Sequence, residues 1–372
     1  MKIAIEAQRI FRPNKHGMDF VALETIRCLQ RIDTRNEYFI LVGDGPDRCL
    51  EETPNVHILT LRCPSYPLWE QWALPRAVRR IRPDLLHCTS NTAPVWGSAP
   101  LILTLHDIIF LERQTARNPS LYQSLGRLYR RTVVPRILPR CERIITVSAF
   151  ERDRIRTALG LDPARITAIH NGYNPRFRPL ESTAEVTRRY LPEARYLFFL
   201  GNTDPKKNTP GTLRGYAEYV RRSDDPLPLL VADLKAEAAQ DILREIGEEG
   251  LIERLRLPGY IPNSDLPAVY NGAAAFLYTS LRESFGIPQL EAMACGTPVV
   301  TSNTSAIPEI AGEGAILVDP TDPGQIAEAL LRLENDEAFR REQIAYGLER
   351  VKLFSWERTA RELLALYEDT VR

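Results

Sequence analysis

Nowhere does the 372-residue sequence run for about 18 apolar residues without a charge, so no segment is suited to crossing a membrane as a helix. Its six cysteines (Cys28, Cys49, Cys63, Cys88, Cys141 and Cys295) stand far apart with no Cys-x-x-Cys pair, which argues against a disulfide framework and fits a reducing compartment. There is no His-Glu-x-x-His and no Cys/His cluster, so no metal site is expected. The Gly-x-Ser-x-Gly elbow of serine hydrolases, the Walker loop and the Gly-x-Gly-x-x-Gly dinucleotide fingerprint are missing too. So is Asp-x-Asp, which leaves metal-bridged binding of a sugar nucleotide without obvious ligands. The opening MKIAIEAQRI puts Glu6 and Arg9 where a secretory leader needs an apolar stretch, so a cytoplasmic location is expected.

What is present is a globular composition, 44% hydrophobic and 26% charged with a mean hydropathy of −0.25. The length implies about two domains. Net charge is zero, yet residues 1–180 hold 27 Lys and Arg against 17 Asp and Glu, and residues 181–372 hold 21 against 31. The first half should attract an anionic partner. Composition alone leaves an anionic lipid surface, a phosphorylated acceptor and a nucleic acid all open.

Short apolar runs alternate with longer amphipathic ones, the pattern of α/β units with parallel sheets. Strands are expected at 2–7, 38–42, 56–61, 84–88, 101–105, 143–147 and 165–169, with helices near 18–31, 68–81, 119–138 and 149–159. The stretch NGYNPRFRPL (171–180) reads as a linker. The pattern restarts with strands at 196–200, 227–232, 254–257, 274–278, 298–301 and 315–318, and three helices close the chain, the last at about 356–371. Two doubly wound domains hold ligands in loops at the carboxyl ends of their strands.

Segment 283–298, ESFGIPQLEAMACGTP, follows the strand AAFLYT. Pro288 suits a first helical turn and Gly296 the residue past a helix end, so a short helix begins beneath Phe285-Gly286-Ile287. Unpaired amides and the helix dipole there make an anion site. Glu283 in the loop and Glu291, read as first-turn, could accept hydrogen bonds from sugar hydroxyls. GNTDPKKN (201–208) follows the strand YLFFL and places Lys206 and Lys207 at a strand end, where they suit phosphate. A plain helix-capping turn would read the same way. KHGMD (15–19) opens the first helix, and Thr104-Leu105-His106-Asp107 puts an imidazole and a carboxylate at another strand end. Six arginines between Arg127 and Arg143, interleaved with apolar residues, form a basic amphipathic stretch that Pro135 should kink.

Glu283-Ser-Phe-Gly-Ile-Pro-x-x-Glu291-Ala-Met-Ala-Cys-Gly-Thr-Pro resembles the Glu-x7-Glu signature of retaining glycosyltransferase family 4, of GT-B fold. GNTDPKKN resembles that family's phosphate loop, His106-Asp107 its His-Asp pair, PGYIPNSDLPAVY (258–270) its nucleobase loop, and Phe354-Ser-Trp-Glu the start of its returning C-terminal helix. The resemblance implies an acceptor domain at 1–175, a nucleotide-sugar domain at 176–354 and a closing helix at 355–372. Its catalytic group would be His106, Asp107 and Glu283. The donor would be held by Gly17, Asn202, Lys206, Lys207, Tyr260, Ile261, Ser284, Phe285, Gly286, Ile287 and Glu291, with Glu291 on the ribose. Asp19 and His16 would lie on the acceptor side. Two departures stand out: Asn202 replaces an arginine common in the phosphate loop, and Asp19 replaces the second glycine of the N-terminal loop.

The implied activity is transfer of a hexose, mannose-like, from GDP-mannose or a UDP-hexose to a saccharide or lipid-linked acceptor. No cofactor, no metal and no nucleic acid are implied, and the basic first half suggests peripheral contact with an anionic membrane. A GT-B epimerase or hydrolase, or a non-catalytic sugar-binding relative, are the rival readings.

Overall fold

Strands made of consecutive apolar residues, rather than alternating ones, are what a parallel sheet covered on both faces requires. The chain has two such sheets. The computed structural model describes residues 1–13, 15–111 and 121–371. Two compact units divide it: Met1–Gly172 joined by the helix Trp356–Val371, and Tyr173–Ser355. The crossing thus falls at Gly172, inside the expected linker, and the return falls at Trp356.

The first unit contains β1 (Lys2–Glu6), β2 (Glu37–Val42), β3 (Val56–Thr60), β4 (Leu85–Cys88), β5 (Leu101–Thr104), β6 (Cys141–Thr146) and β7 (Ile166–Ala168). They pair in parallel in the order β3-β2-β1-β4-β5-β6-β7. Every residue of β4 and β5 is buried. Leu74, Val78, Leu101, Leu103, Val134, Ile137, Ile144 and Ile155 belong to one core cluster there. The closing helix Trp356–Val371 packs beside Gly17–Ile32 and buries Trp356, Ala360, Leu363 and Tyr367. Its Thr359 hydroxyl donates to His170 O at 2.6 Å, and the Tyr367 hydroxyl lies 2.6 Å from His87 Nδ1. Burial lowers the His87 pKa to about 3, so this contact is between neutral groups.

The second unit contains β8 (Tyr196–Leu200), β9 (Leu229–Ala232), β10 (Leu255–Gly259), β11 (Ala273–Tyr278), β12 (Val299–Ser302) and β13 (Ile316–Val318). Their order is β10-β9-β8-β11-β12-β13, again all parallel. Its core joins Leu213, Tyr216, Leu229, Val231, Leu277, Ile326 and Leu330.

One helical expectation changes. The stretch expected as one helix at 68–81 begins at Tyr66 and is interrupted by a π-turn, Trp69–Ala73, before continuing as Leu74–Ile81. A π-turn inserts an extra residue per turn, and here it turns the Glu70 side chain inward. The helix that carries Pro135 runs from Leu121 to Ile137. The ring lies exposed two residues from the helix end, where it removes one hydrogen bond without ending the element. The start expected at 119 lies outside the described residues.

Candidate active site

In an open parallel sheet a ligand crevice forms where the strand order reverses, at the carboxyl ends of the two strands concerned. In the second unit that point lies between β8 and β11. The loops leaving those strands are 201–208 and 279–286, the two segments singled out by sequence. They are stitched together: Leu281 N donates to Lys206 O at 2.8 Å, and Asn208 Nδ2 donates to Thr279 O at 3.0 Å and to Pro320 O at 2.7 Å.

Within the first loop Asn202 Oδ1 accepts from Asp204 N at 2.9 Å, and Asp204 Oδ1 accepts from Lys206 N at 3.1 Å. Asn202 is therefore a turn-forming residue, and positive charge comes from the lysines. Lys206 lies 3.5 Å from Asp204, whereas Lys207 Nζ donates to Glu283 Oε1 at 2.7 Å and sits 5.4 Å from the centre of the Tyr278 ring. Tyr278, the last residue of β11, is buried and hydrogen-bonds to Glu283; its phenol pKa is pushed well up, by burial first and then by the charges of Glu283 and Glu291. Glu283 is anchored at its own backbone, with its N–H donating to Ser305 Oγ at 3.0 Å.

The helix that follows spans Ile287–Ala294, with Pro288 in its first turn and Gly296 at φ +74° just past its end. The amides of Gly286 and Ile287 donate to no acceptor among the described residues. They open the positive end of the helix dipole to an anion. Ser284 is half-buried, and Phe285 is buried edge-on against Phe354, 5.9 Å between centroids. Gly286 has φ +101°, and a Cβ there would stand 2.7 Å from Gln289 Nε2. Gly286→Ala is accordingly expected to cost about 1–3 kcal/mol of stability. A thermal melt checks it, and a melting temperature unchanged within about 2 °C would overturn it.

Glu291 is not in the first helical turn as expected; it is the fifth residue of the helix, one turn further in. Burial raises its pKa to about 7, against a smaller lowering by Arg176. No donor among the described residues reaches its carboxylate. Tyr260 stands out into solvent after β10, while the side chain of the neighbouring Ile261 is buried, leaving only its backbone to meet a base.

In the first unit the order reverses between β1 and β4, and the loops leaving β1, β4 and β5 carry the polar groups. His106 is buried; its amide donates to Asn91 Oδ1 at 2.6 Å, and its Nε2 donates to Thr89 O at 2.9 Å. Burial lowers its pKa, so the ring is neutral and Nδ1 is left as an acceptor. Asp107 accepts from Ile109 N at 3.0 Å. Asp19 is buried and accepts from His16 N at 3.0 Å, closing the start of the helix Gly17–Ile32; its charge also reaches His106. The aspartate that replaces a glycine is thus a helix-capping group. His16 and Gly17 are exposed, and a Cβ on Gly17 would meet nothing within 4 Å.

Sequence reasoning missed three groups. Tyr278 was detectable as the last residue of a strand. Glu6, also at a strand end, accepts from Gln8 N and Thr89 N, and burial raises its pKa to about 7. Glu70 left no signal at all: fully buried, it accepts from Tyr66, Gln71, Thr92 and Tyr129, residues brought to it by three separate segments. Among the described residues no group of three or more His, Cys, Asp or Glu is placed to hold a metal ion.

The profile of the family described as Glycosyltransferase Family 4 matches residues 16–177, and that of Glycosyl transferases group 1 matches residues 188–350. The chain is 34% identical over 230 residues to the O-antigen chain mannosyltransferase B of Escherichia coli, a match covering 60% of each chain. Its fold is similar to that of sucrose-phosphate synthase from Thermosynechococcus elongatus, with a TM-score of 0.76, 21% identity and coverage of 99% and 98%. It is also similar to Anabaena HepE in complex with UDP and glucose, with a TM-score of 0.70, 18% identity and 99% of both chains covered. One family profile thus lies on each parallel-sheet unit, Glycosyltransferase Family 4 on the first and Glycosyl transferases group 1 on the second, and the fold is that of the GT-B structures it resembles.

Proposed function

We propose that the protein is a retaining hexosyltransferase that moves mannose, or failing that another hexose, from a nucleotide sugar to a saccharide or lipid-linked acceptor in polysaccharide or glycolipid assembly. The single observation that carries this reading is the unpaired, half-buried Glu291 carboxylate on the helix that the open Gly286 and Ile287 amides begin, with the Lys207–Glu283 pair in the loops leading to it. Mannose is favoured by the Escherichia coli mannosyltransferase relative, whose matched stretch spans 60% of its length; a UDP-linked hexose is favoured by the ligands of HepE. The donor is a substrate, and no cofactor or metal enters the reading.

In this mechanism the amides and Lys207 hold the diphosphate. Glu291 accepts hydrogen bonds from ribose hydroxyls, and the backbone at Tyr260 and Ile261 borders the base. Glu283 meets the donor hexose and keeps Lys207 aimed. Departure of the diphosphate builds negative charge in front of fixed donors, which stabilises the transition state. The leaving phosphate removes the acceptor proton, so attack and departure share one face and the anomeric configuration is kept. The first unit serves the acceptor, with His106 Nδ1 as a hydroxyl acceptor and Asp107, His16 and Asp19 around it. Peripheral contact with an anionic membrane on its cytoplasmic face belongs to the same reading.

Lys207→Ala tests the phosphate assignment. It removes a charge-assisted contact worth about 1.5–3 kcal/mol, so affinity for the nucleoside diphosphate should fall about ten- to hundredfold while nucleoside affinity barely moves. Isothermal calorimetry with both ligands decides it. An equal loss for the two would place the phosphate elsewhere.

A further inference from the structure

Trp72 and Trp96 are 60% and 69% exposed, while the other two tryptophans, Trp69 and Trp356, are buried. Indole is costly to leave in water, and the two exposed rings line one open groove of about 430 Å³ with Pro75, Arg76, Arg79, Gly97 and Ser98. The groove is held in shape. Trp96 Nε1 donates to Gln71 O at 3.1 Å, and the Arg76 guanidinium lies 5.6 Å from the centre of the Trp72 ring. Arg140 underpins the loop that carries Trp96, donating to Pro94 O at 2.8 Å and Gly97 O at 2.9 Å.

Charge around the groove has one sign. From Tyr66 to Arg82 the only acid is Glu70, which is fully buried, whereas Arg76, Arg79, Arg80 and Arg82 are exposed. Gln71 Nε2 bonds the Tyr129 hydroxyl at 2.8 Å and so ties this segment to the helix Leu121–Ile137. That helix contains no acid and exposes Leu125 and Leu128 as well as Arg131 and Arg136. Leu68 is also exposed beside Trp69.

We infer that the groove between Trp72 and Trp96, with the arginines of Leu74–Ile81, is a docking face for an anionic lipid bilayer. Indole rings settle at the boundary between headgroups and acyl chains, aliphatic side chains enter just below it, and guanidinium groups pair with lipid phosphates. An oligosaccharide would also stack on indole. It would need free carboxylate or amide acceptors for its hydroxyls, however, whereas the Gln71 amide that lines the groove is already bonded to Val95 N, Ala93 O and Tyr129, and exposed leucines would offer it nothing. The unopposed arginines and the aliphatic fringe therefore favour lipid over sugar. The inference rests on the proposed membrane contact but moves its centre from the arginines at 127–143 to a tryptophan-lined face that the sequence reading passed over.

Because Trp69 and Trp356 are buried, tryptophan fluorescence reports chiefly on Trp72 and Trp96. Titration with vesicles containing phosphatidylglycerol should shift the emission to the blue and carry the protein into the floating fraction, and vesicles of phosphatidylcholine alone should do neither. Trp72→Ala with Trp96→Ala should weaken vesicle binding about tenfold or more at moderate salt, and Arg76→Glu with Arg79→Glu should do the same. In both variants circular dichroism and the affinity for a nucleoside diphosphate should stay as in the parent, since that affinity belongs to the other unit. Equal binding to both vesicle types, no binding to either, or vesicle binding unchanged in the tryptophan variant would overturn the inference. So would a blue shift produced by a soluble mannose oligosaccharide but not by vesicles. Absence of sugar transfer by the parent protein from any nucleotide hexose to both soluble and lipid-linked saccharide acceptors would instead tell against the proposed function, leaving the docking face untouched.

Discussion

Glu283→Gln is expected to leave the protein folded and to lower sugar transfer by about 10²-fold or more, the scale lost when one fixed group that meets developing charge is removed. Two roles end together. In the proposed mechanism the glutamine offers no full negative charge to the donor hexose, and it meets Lys207 Nζ, now 2.7 Å from Glu283, only through a neutral amide oxygen. Stability should change little. The side chains of Lys207 and Glu283 are 21% and 15% exposed, so the freed ammonium can rehydrate at the site mouth. The readouts are a melting temperature, the dissociation constant for the nucleotide sugar and the rate at donor saturation. A drop in rate with affinity nearly kept would match a group acting mainly in the transition state. Transfer within about twofold of the parent, less than 0.5 kcal/mol of barrier, would remove Glu283 from the mechanism.

The second large effect is on nucleotide affinity. Glu291→Ala should weaken nucleoside binding by about ten- to hundredfold, since two ribose hydroxyls would lose a charged acceptor. The raised pKa gives this prediction a pH signature. In the free protein the carboxyl titrates at about 7, and ribose hydroxyls donate to its ionised form. Affinity for a nucleoside, which carries no phosphate to titrate, should therefore rise with pH through about 7 and level off above it. Below that point each unit of pH costs up to about tenfold. Glu291→Gln should bind weakly and with a flat profile. The linkage to folding runs the other way. A carboxyl raised from 4.5 to about 7 in the folded protein contributes stability that is fully present below 4.5 and lost as pH rises through 7. Unliganded Glu291→Gln should consequently be less destabilised than the parent between pH 5 and pH 8. A pH-independent nucleoside affinity in the parent would show that Glu291 does not face the ribose.

Local structure was legible to a residue or two because its causes are local. Runs such as YLFFL and LIL are apolar throughout, as parallel strands buried on both faces must be, and they appear as β8 and within β5. Pro288 and Gly296 bracket a helix because one lacks an amide the first turn does not need and the other tolerates positive φ. The loops bearing Lys207 and Glu283 were found by the rule that ligands gather at strand ends, which needs only the order of elements along the chain. Glu291 lies just past the first turn expected for it: Gly286 caps the helix and Ile287 begins it, so position 291 is the fifth residue.

By itself the sequence determined the two parallel-sheet units and the loops at their strand ends, all consequences of periodicity and of glycine and proline chemistry at short range. Tertiary structure decided the rest, because it depends on which strands become neighbours. Asn202 could be recognised as a turn former only when its carbonyl-bearing side chain was seen on Asp204, and Asp19 as a cap only when its carboxylate was seen on His16. Glu70 is hydrogen-bonded by donors from 66, 71, 92 and 129, an environment that no window of sequence contains. Trp72 and Trp96 look like core residues in composition; only the π-turn and the loop before β5 turn both rings outward into one groove. Burial and long-range pairing set a side chain's charge and accessibility, and neither is written in its neighbours along the chain.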